Sequence, residues 1–283
     1  MRGLNESYRV DVERVAGGGR SAERAARAPR PVLRPFVRGL CGFDERAPAG
    51  RVQREFPVSS LVVIIEFGPA LRVTPAGDAR RAARHAGGFA VGFGEEFALV
   101  EFGPRQRGVQ IDLTPTGARR LFGLPLAELA GRIAPLGELW GRDAARLAEQ
   151  LDAARGWAER FDRVEDLLEA RIARSRLDSA RVDWALGRID AAGGALAIGE
   201  LARELGHSRK HLVSLFRDQV GVPPKLFARL VRFERTLRSA STPAQQGWAE
   251  LALAHGYADQ AHLARELRRF TGLTPTQLAQ TRG

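Results

Sequence analysis

The chain of 283 residues is 44% hydrophobic and 27% charged, ordinary values for a globular protein whose length suggests about two domains. Its 44 basic and 33 acidic side chains give a formal net charge of +11, which attracts polyanions, nucleic acid first among them. One cysteine, Cys41, excludes an intramolecular disulfide and a multi-cysteine metal site, and the lack of any run of about 18 apolar residues predicts a soluble, cytoplasmic protein with no membrane partner.

Only Lys210 and Lys225 are lysines, so nearly all the positive charge is arginine, a bias that a GC-rich genome also produces. Residues 186–283 hold 14 basic and 8 acidic side chains, a balance of +6, and the rest of the chain carries +5. Charge alone therefore does not locate a binding face.

Residues 1–28 are rich in Arg, Ala, Gly and Glu, with Gly17-Gly18-Gly19 and no apolar periodicity, which predicts a disordered extension. Pro29, Pro31 and Pro35 lead into a domain expected over 29–172. Leu61-Val62-Val63-Ile64-Ile65 reads as a buried strand, and Phe89, Val91, Phe93, Phe97, Leu99, Val109, Ile111 and Leu113 alternate with small or polar residues. Gly-Pro and Gly-Gly pairs punctuate these runs. The expectation is an antiparallel sandwich or small barrel.

From Pro115 the period becomes helical, with helices expected over 116–123, 125–132 and 136–151. Trp157, Phe161, Val164, Leu168 and Ile172 then share one helical face. That face packs either on the sheet or the last domain, or against a second copy in a homodimer. A polar linker is expected over 173–182, followed by an all-helical domain over 183–283. The fold class is α+β: a β-rich domain with following helices, then an all-α domain with two similar motifs joined by a long helix.

Those motifs are an internal repeat. Glu200-Leu201-Ala202 with Gly206 recurs as Glu250-Leu251-Ala252 with Gly256, and Ser208-Arg209-Lys210-His211-Leu212 aligns with Asp259-Gln260-Ala261-His262-Leu263. The match continues through Phe216-Arg217 against Leu267-Arg268 and Gly221-Val222-Pro223-Pro224 against Gly272-Leu273-Thr274-Pro275. Each copy reads as a helix, a glycine turn and a second helix capped by Ser208 or Asp259. This is a helix-turn-helix, whose second helix enters the major groove in DNA-binding versions. The connecting helix is expected over 224–239, with Leu226, Leu230, Phe233 and Leu237 inward.

The stretch from Gly256 to Pro275 resembles the signature of the AraC/XylS class of bacterial transcription regulators. The upstream repeat and the connecting helix fit the same domain, so the resemblance covers about residues 180–281. Pro31-Val-Leu-Arg-Pro-Phe-Val, Leu121-Phe-Gly-Leu-Pro and Leu136-Gly-Glu-Leu-Trp-Gly141 resemble the amino-terminal domain of a subset of these regulators. The resemblance implies double-stranded DNA as partner, with RNA polymerase and a small-molecule effector as further partners, and no cofactor. Activation and repression are both left open. It places Arg209, Lys210, Val213 and Ser214 of the first motif at bases, with Gln260, Ala261, His262 and Arg265 of the second. Arg217, Arg268 and Arg269 are placed at phosphates. Arg265 has the fork for guanine and Gln260 the amide for adenine, whereas Val213 and Ser214 read weakly. For His211 and His262 a packing role stands equally beside base contact, and Arg268 and Arg269 also fit a solvated face.

Chemistry elsewhere is sparse. His85 stands alone in the β-rich domain, with no spaced His/Glu set for a metal. The glycines from Gly87 to Gly94 lack the strand-to-helix context of a phosphate loop, and no Ser or Cys nucleophile motif is present. The expectation is no enzyme. The alternatives are a β-barrel enzyme with a helical tail, or a DNA-repair fusion, which needs several reactive cysteines. Phe89, Phe93 and Phe97, with Arg72 or Arg105, are the candidates for an effector site, core packing being the competing reading.

Overall fold

Alternation that buries one set of side chains against helices and the other against a second sheet builds the amino-terminal half. The computed structural model describes residues 10–17, 20–48, 50–175, 177, 180–240 and 247–280. Its strands are β1 (Asp11–Gly17), β2 (Arg20–Arg27), β3 (Val37–Arg46), β4 (Arg51–Glu55), β5 (Leu61–Glu66) and β6 (Arg72–Pro75). Then follow β7 (Ala83–Arg84), β8 (Phe89–Val91), β9 (Ala98–Phe102), β10 (Arg105–Leu113) and β11 (Ile133–Pro135). One sheet has the order β1-β2-β3-β10-β5-β8-β11 and the other β4-β9-β6-β7, and the strand pairs are antiparallel.

β5 is a continuous apolar run because both of its faces are covered. Leu61, Val63 and Ile65 join Val109, Ile111 and Leu113 in the core shared with the helices. Ile64 joins Val73, Phe89 and Val100 between the two sheets.

The helices of the first domain are α1 (Pro115–Phe122), α2 (Leu136–Trp140), α3 (Arg142–Ala153) and α4 (Trp157–Arg174). Two expectations are corrected. The segment expected as a helix over 125–132 is a short 3-10 turn, Leu126–Leu129, running into β11. The helix expected over 136–151 is two, because Gly141 takes φ 58° and ψ −132°, outside helical space.

A third correction concerns the expected disordered extension. Residues 1–9, 18 and 19 lie outside the described residues, but β1 and β2 form a hairpin that adds to β3. Partners distant in sequence hold it. Trp157 Nε1 donates to Glu23 at 2.6 Å, Arg24 pairs with Glu45 at 2.9 Å, and the buried Arg27 pairs with Asp162 at 2.8 Å and with Glu165.

The apolar face of α4 is covered within the chain: Phe161, Val164 and Leu168 are fully buried, and Trp157 and Ile172 nearly so. The dimer role for this face is thereby corrected, since no apolar stripe is left for a second copy.

The second domain holds α5 (Ala180–Ala191), α6 (Ile198–Glu204), α7 (Arg209–Val220), α8 (Pro224–Ala240), α9 (Trp248–Ala254), α10 (Gln260–Thr271) and α11 (Pro275–Gln280). The expected linker shrinks at both ends, to the residues between Arg174 and Ala180; 176, 178 and 179 lie outside the described residues, as do 241–246 and 281–283. On α8 the inward residues are Phe227, Leu230, Val231, Phe233 and Thr236, while Leu226 and Leu237 are only half-buried. The stripe is shifted because α8 is covered from more than one side. Phe93 of the first domain meets Phe227 edge-on, with ring centroids 5.7 Å apart. One apolar core runs through both domains.

Candidate nucleic-acid interface

The second helix of each motif starts at a side-chain cap. Ser208 Oγ accepts the His211 N–H at 3.2 Å, and Asp259 Oδ1 accepts the His262 N–H at 2.6 Å. The turns before them pass through Gly206 and Gly256 at φ 66° and 73°, the left-handed region that favours glycine. On the inner faces Leu212, Phe216 and Val220 of α7, and Leu263, Leu267 and Phe270 of α10, are buried. The turn and the core face together fix which side of each helix points outward.

That outward side is polar and basic. Arg209, Lys210, Ser214 and Arg217 are exposed on α7, and Gln260, Ala261, Arg265 and Arg268 on α10; Val213 is half-buried. Arg209 and Arg265 line a single groove of about 560 Å³ between the motifs, together with Lys225, Arg229, Arg232, His262 and Arg269. The structure thus brings residues from both motifs to one strongly basic surface.

Three candidates make contacts within the protein. The half-buried His262 ring packs edge-on to Tyr257 at 5.3 Å, and its Nδ1 accepts the Ala258 N–H at 3.4 Å. These contacts hold the ring against the turn while it also lines the groove. His211 likewise packs edge-on to His207 at 4.5 Å. Arg269, placed by resemblance at phosphate, donates from Nε at 3.0 Å to Glu95 of the first domain.

Sequence reasoning missed the α8 cations and their acids. Arg229 Nε donates to Glu266 at 2.7 Å, Arg232 pairs with the same carboxylate at 3.2 Å, and Arg229 also pairs with Glu95. Arg232 lies over the Tyr257 ring at 4.4 Å. Burial, with the charge of Glu266 nearby, pushes the Tyr257 hydroxyl up to about 12, so it stays neutral. A signal was present: Glu266 sits between Leu263 and Phe270 on the buried face, where the first motif has Leu215. An acid there demands a cation from another element.

Further contacts tie the domains together beside this groove. Ser59 donates from N and Oγ to Glu234 at 3.1 and 2.5 Å, and Arg54 donates to the Thr271 carbonyl at 2.9 Å. Of the effector-site candidates, Phe89, Phe93 and Phe97 line a cavity between the sheets. Arg72 and Arg105 do not; they pair with Glu101 and Asp44. Among the described residues no cluster of His, Cys, Asp and Glu is arranged to hold a metal, and no helix is long and apolar enough to cross a membrane.

The family described as "Helix-turn-helix domain" matches residues 201–281. No curated protein matches the sequence. Among solved structures, ToxT from Vibrio cholerae is similar, at 12% identity over 85% of this chain and 98% of that one, TM-score 0.48. ToxT from strain SCE256 with a bound unsaturated fatty acid is also similar, at 10% identity over 99% and 97%, TM-score 0.47. A Chromobacterium violaceum transcriptional regulator described as containing an AraC-type DNA-binding domain aligns over 37% of this chain and 93% of its own, at 21% identity and TM-score 0.33. Over residues 201–281, where the helix-turn-helix family matches, the chain folds as two capped helix-turn-helix motifs around one basic groove.

Proposed function

We propose that the chain binds a specific duplex site with both motifs at once and that its β-sandwich domain adjusts this binding in response to a small molecule. The observation that carries the first part is the shared groove, flanked by Arg209 of one reading helix and Arg265 of the other. Two helices anchored on one scaffold read adjacent major-groove segments about one helical turn, roughly 34 Å, apart. Arg265 and Gln260 carry the base discrimination, Lys210 and Arg209 add a weaker reading, and Arg217 and Arg268 hold phosphates. The second part is supported by the cavity between the sheets, whose rim includes Glu95 and Arg269. In this reading Glu95 withholds Arg269 from DNA until the domains shift. A homodimer through α4 is not part of it, because that face is buried.

Selection of bound duplexes from a random pool with the full chain is the test. The expected result is a site spanning two adjacent major-groove segments, bound less tightly as salt rises because counterions are released. Better retention of single-stranded RNA than of any selected duplex would overturn the reading.

A further inference from the structure

The cavity between the two sheets, about 860 Å³, is large enough for a drug-sized ligand. Its walls are apolar: Phe43, Val62, Ile64, Phe89, Val91 and Phe102 all line it. Its polar groups are unevenly provided for. Asp112 has Gln110 Nε2 at 3.0 Å, and Glu55 has Gln53 Nε2 at 2.7 Å. Among the described residues neither carboxylate has a cation within 4.0 Å. Burial raises the Asp112 pKa from its ordinary value, against a weaker opposing field from Arg38, whereas Glu55 at the cavity rim is exposed to solvent. Glu234 adds to the negative field at Asp112, and Glu45 does so at Glu55.

The arginines lining the cavity are already committed. Arg24 pairs with Glu45 and Arg81 with Glu96, each at 2.9 Å; Arg132 pairs with Glu138 at 3.6 Å; Arg269 pairs with Glu95. An anionic amphiphile entering here would meet the partly buried Asp112 with no matching cation and would have to break an existing pair to find one. A cationic one would supply the partner that Asp112 lacks, while its apolar body covered the walls.

We propose that the sandwich cavity binds a hydrophobic amine, with the ammonium group at Asp112 and Gln110 and the apolar body against the Phe89 and Phe102 walls. The inference rests on the reading of this domain as the effector-binding part of the chain.

Three probes with one skeleton and different heads test it by calorimetric titration into the full chain: 4-phenylbutylamine, 4-phenylbutanol and 4-phenylbutanoate. The expected result is that the amine binds more tightly than the carboxylate by about tenfold or more, the scale of one charge-assisted hydrogen bond. Asp112→Asn, checked for folding by circular dichroism, should remove most of that preference and leave the alcohol's affinity unchanged; Glu55→Gln provides a second variant. A carboxylate that binds as well as the amine overturns the ligand class while leaving the cavity as an effector site. If none of the probes binds, or if filling the cavity with Val62→Phe changes no affinity, the ligand class and the effector-cavity reading both fall.

Discussion

Replacing Glu95 with glutamine keeps the size of the side chain and removes its charge. In the native structure that carboxylate receives Arg269 Nε at 3.0 Å and also pairs with Arg229. Arg229 retains Glu266 at 2.7 Å, so the packing of α8 on α10 survives the change. Arg269, with a side chain 58% exposed, is released. An ion pair as exposed as this is worth about 0.2–1 kcal/mol, so ending its competition with DNA should tighten binding by about 1.4- to fivefold. The freed guanidinium adds one phosphate contact, which should steepen the slope of log affinity against log salt by about 0.9. Arg269→Ala should cost little in the native background and more in the Glu95→Gln background, because only there does Arg269 reach phosphate. Fluorescence anisotropy with a selected duplex, titrated across a salt series for all four proteins of the cycle, measures these quantities. Unchanged affinity and slope in Glu95→Gln, or strictly additive effects in the cycle, would refute the idea that Arg269 exchanges Glu95 for DNA.

Arg265→Ala should relax the preference at one base position, costing about 1–3 kcal/mol there, whereas Arg217→Ala should weaken all sequences alike; a base-by-base binding matrix separates the two. Glu66, buried and held mainly by the Leu71 N–H, is pushed up by desolvation to about 8 from an ordinary 4.5. The folded state therefore holds a proton that the unfolded state has released, so stability is greatest below pH 4.5 as far as this group is concerned and falls as pH rises to about 8. Inside that window the slope approaches about 1.4 kcal/mol per pH unit. Glu66→Gln should flatten the loss, and equal pH profiles of denaturant midpoint for the two proteins would exclude it. Phe161→Ala should destabilise by about 3–5 kcal/mol, since the ring is fully buried inside one chain. Charging the same face with Phe161→Glu and Leu168→Glu should prevent folding; sedimentation of a folded monomer split from a native dimer would contradict this burial.

Much of the reader was legible because its determinants are local. A cap, a glycine turn and a three-four apolar spacing fix each motif within about twenty residues, and the repeat states them twice; the bounds of α7 and α10 follow from Ser208 and Asp259. The sandwich was legible where strands alternate or run apolar, as in β5 and β10. What escaped depends on partners far along the chain. β2 has an Ala-rich, charged sequence with little apolar signal, and is held by Trp157, Asp162 and Glu165, more than a hundred residues away. The role of Glu95 was equally hidden, since an acid in a glycine-rich loop has no local mark that two arginines of another domain will close on it. Glu165 and Glu266 show what was readable: acids on otherwise apolar helix faces, each ending buried against arginine.

The unbroken apolar core has a thermal consequence. Phe93 packs on Phe227, and Gly221, at φ 87°, lies so close to the Leu126 carbonyl that a Cβ there would overlap it. Bodies that share an interior melt together rather than in turn. When the sandwich loosens, α7 and α8 lose part of their own packing, so heating one domain's core also loosens the helix-turn-helix motifs. A sandwich variant that fails to bind DNA is then read correctly only beside its melting curve, because lost stability and lost signalling look the same at a single temperature.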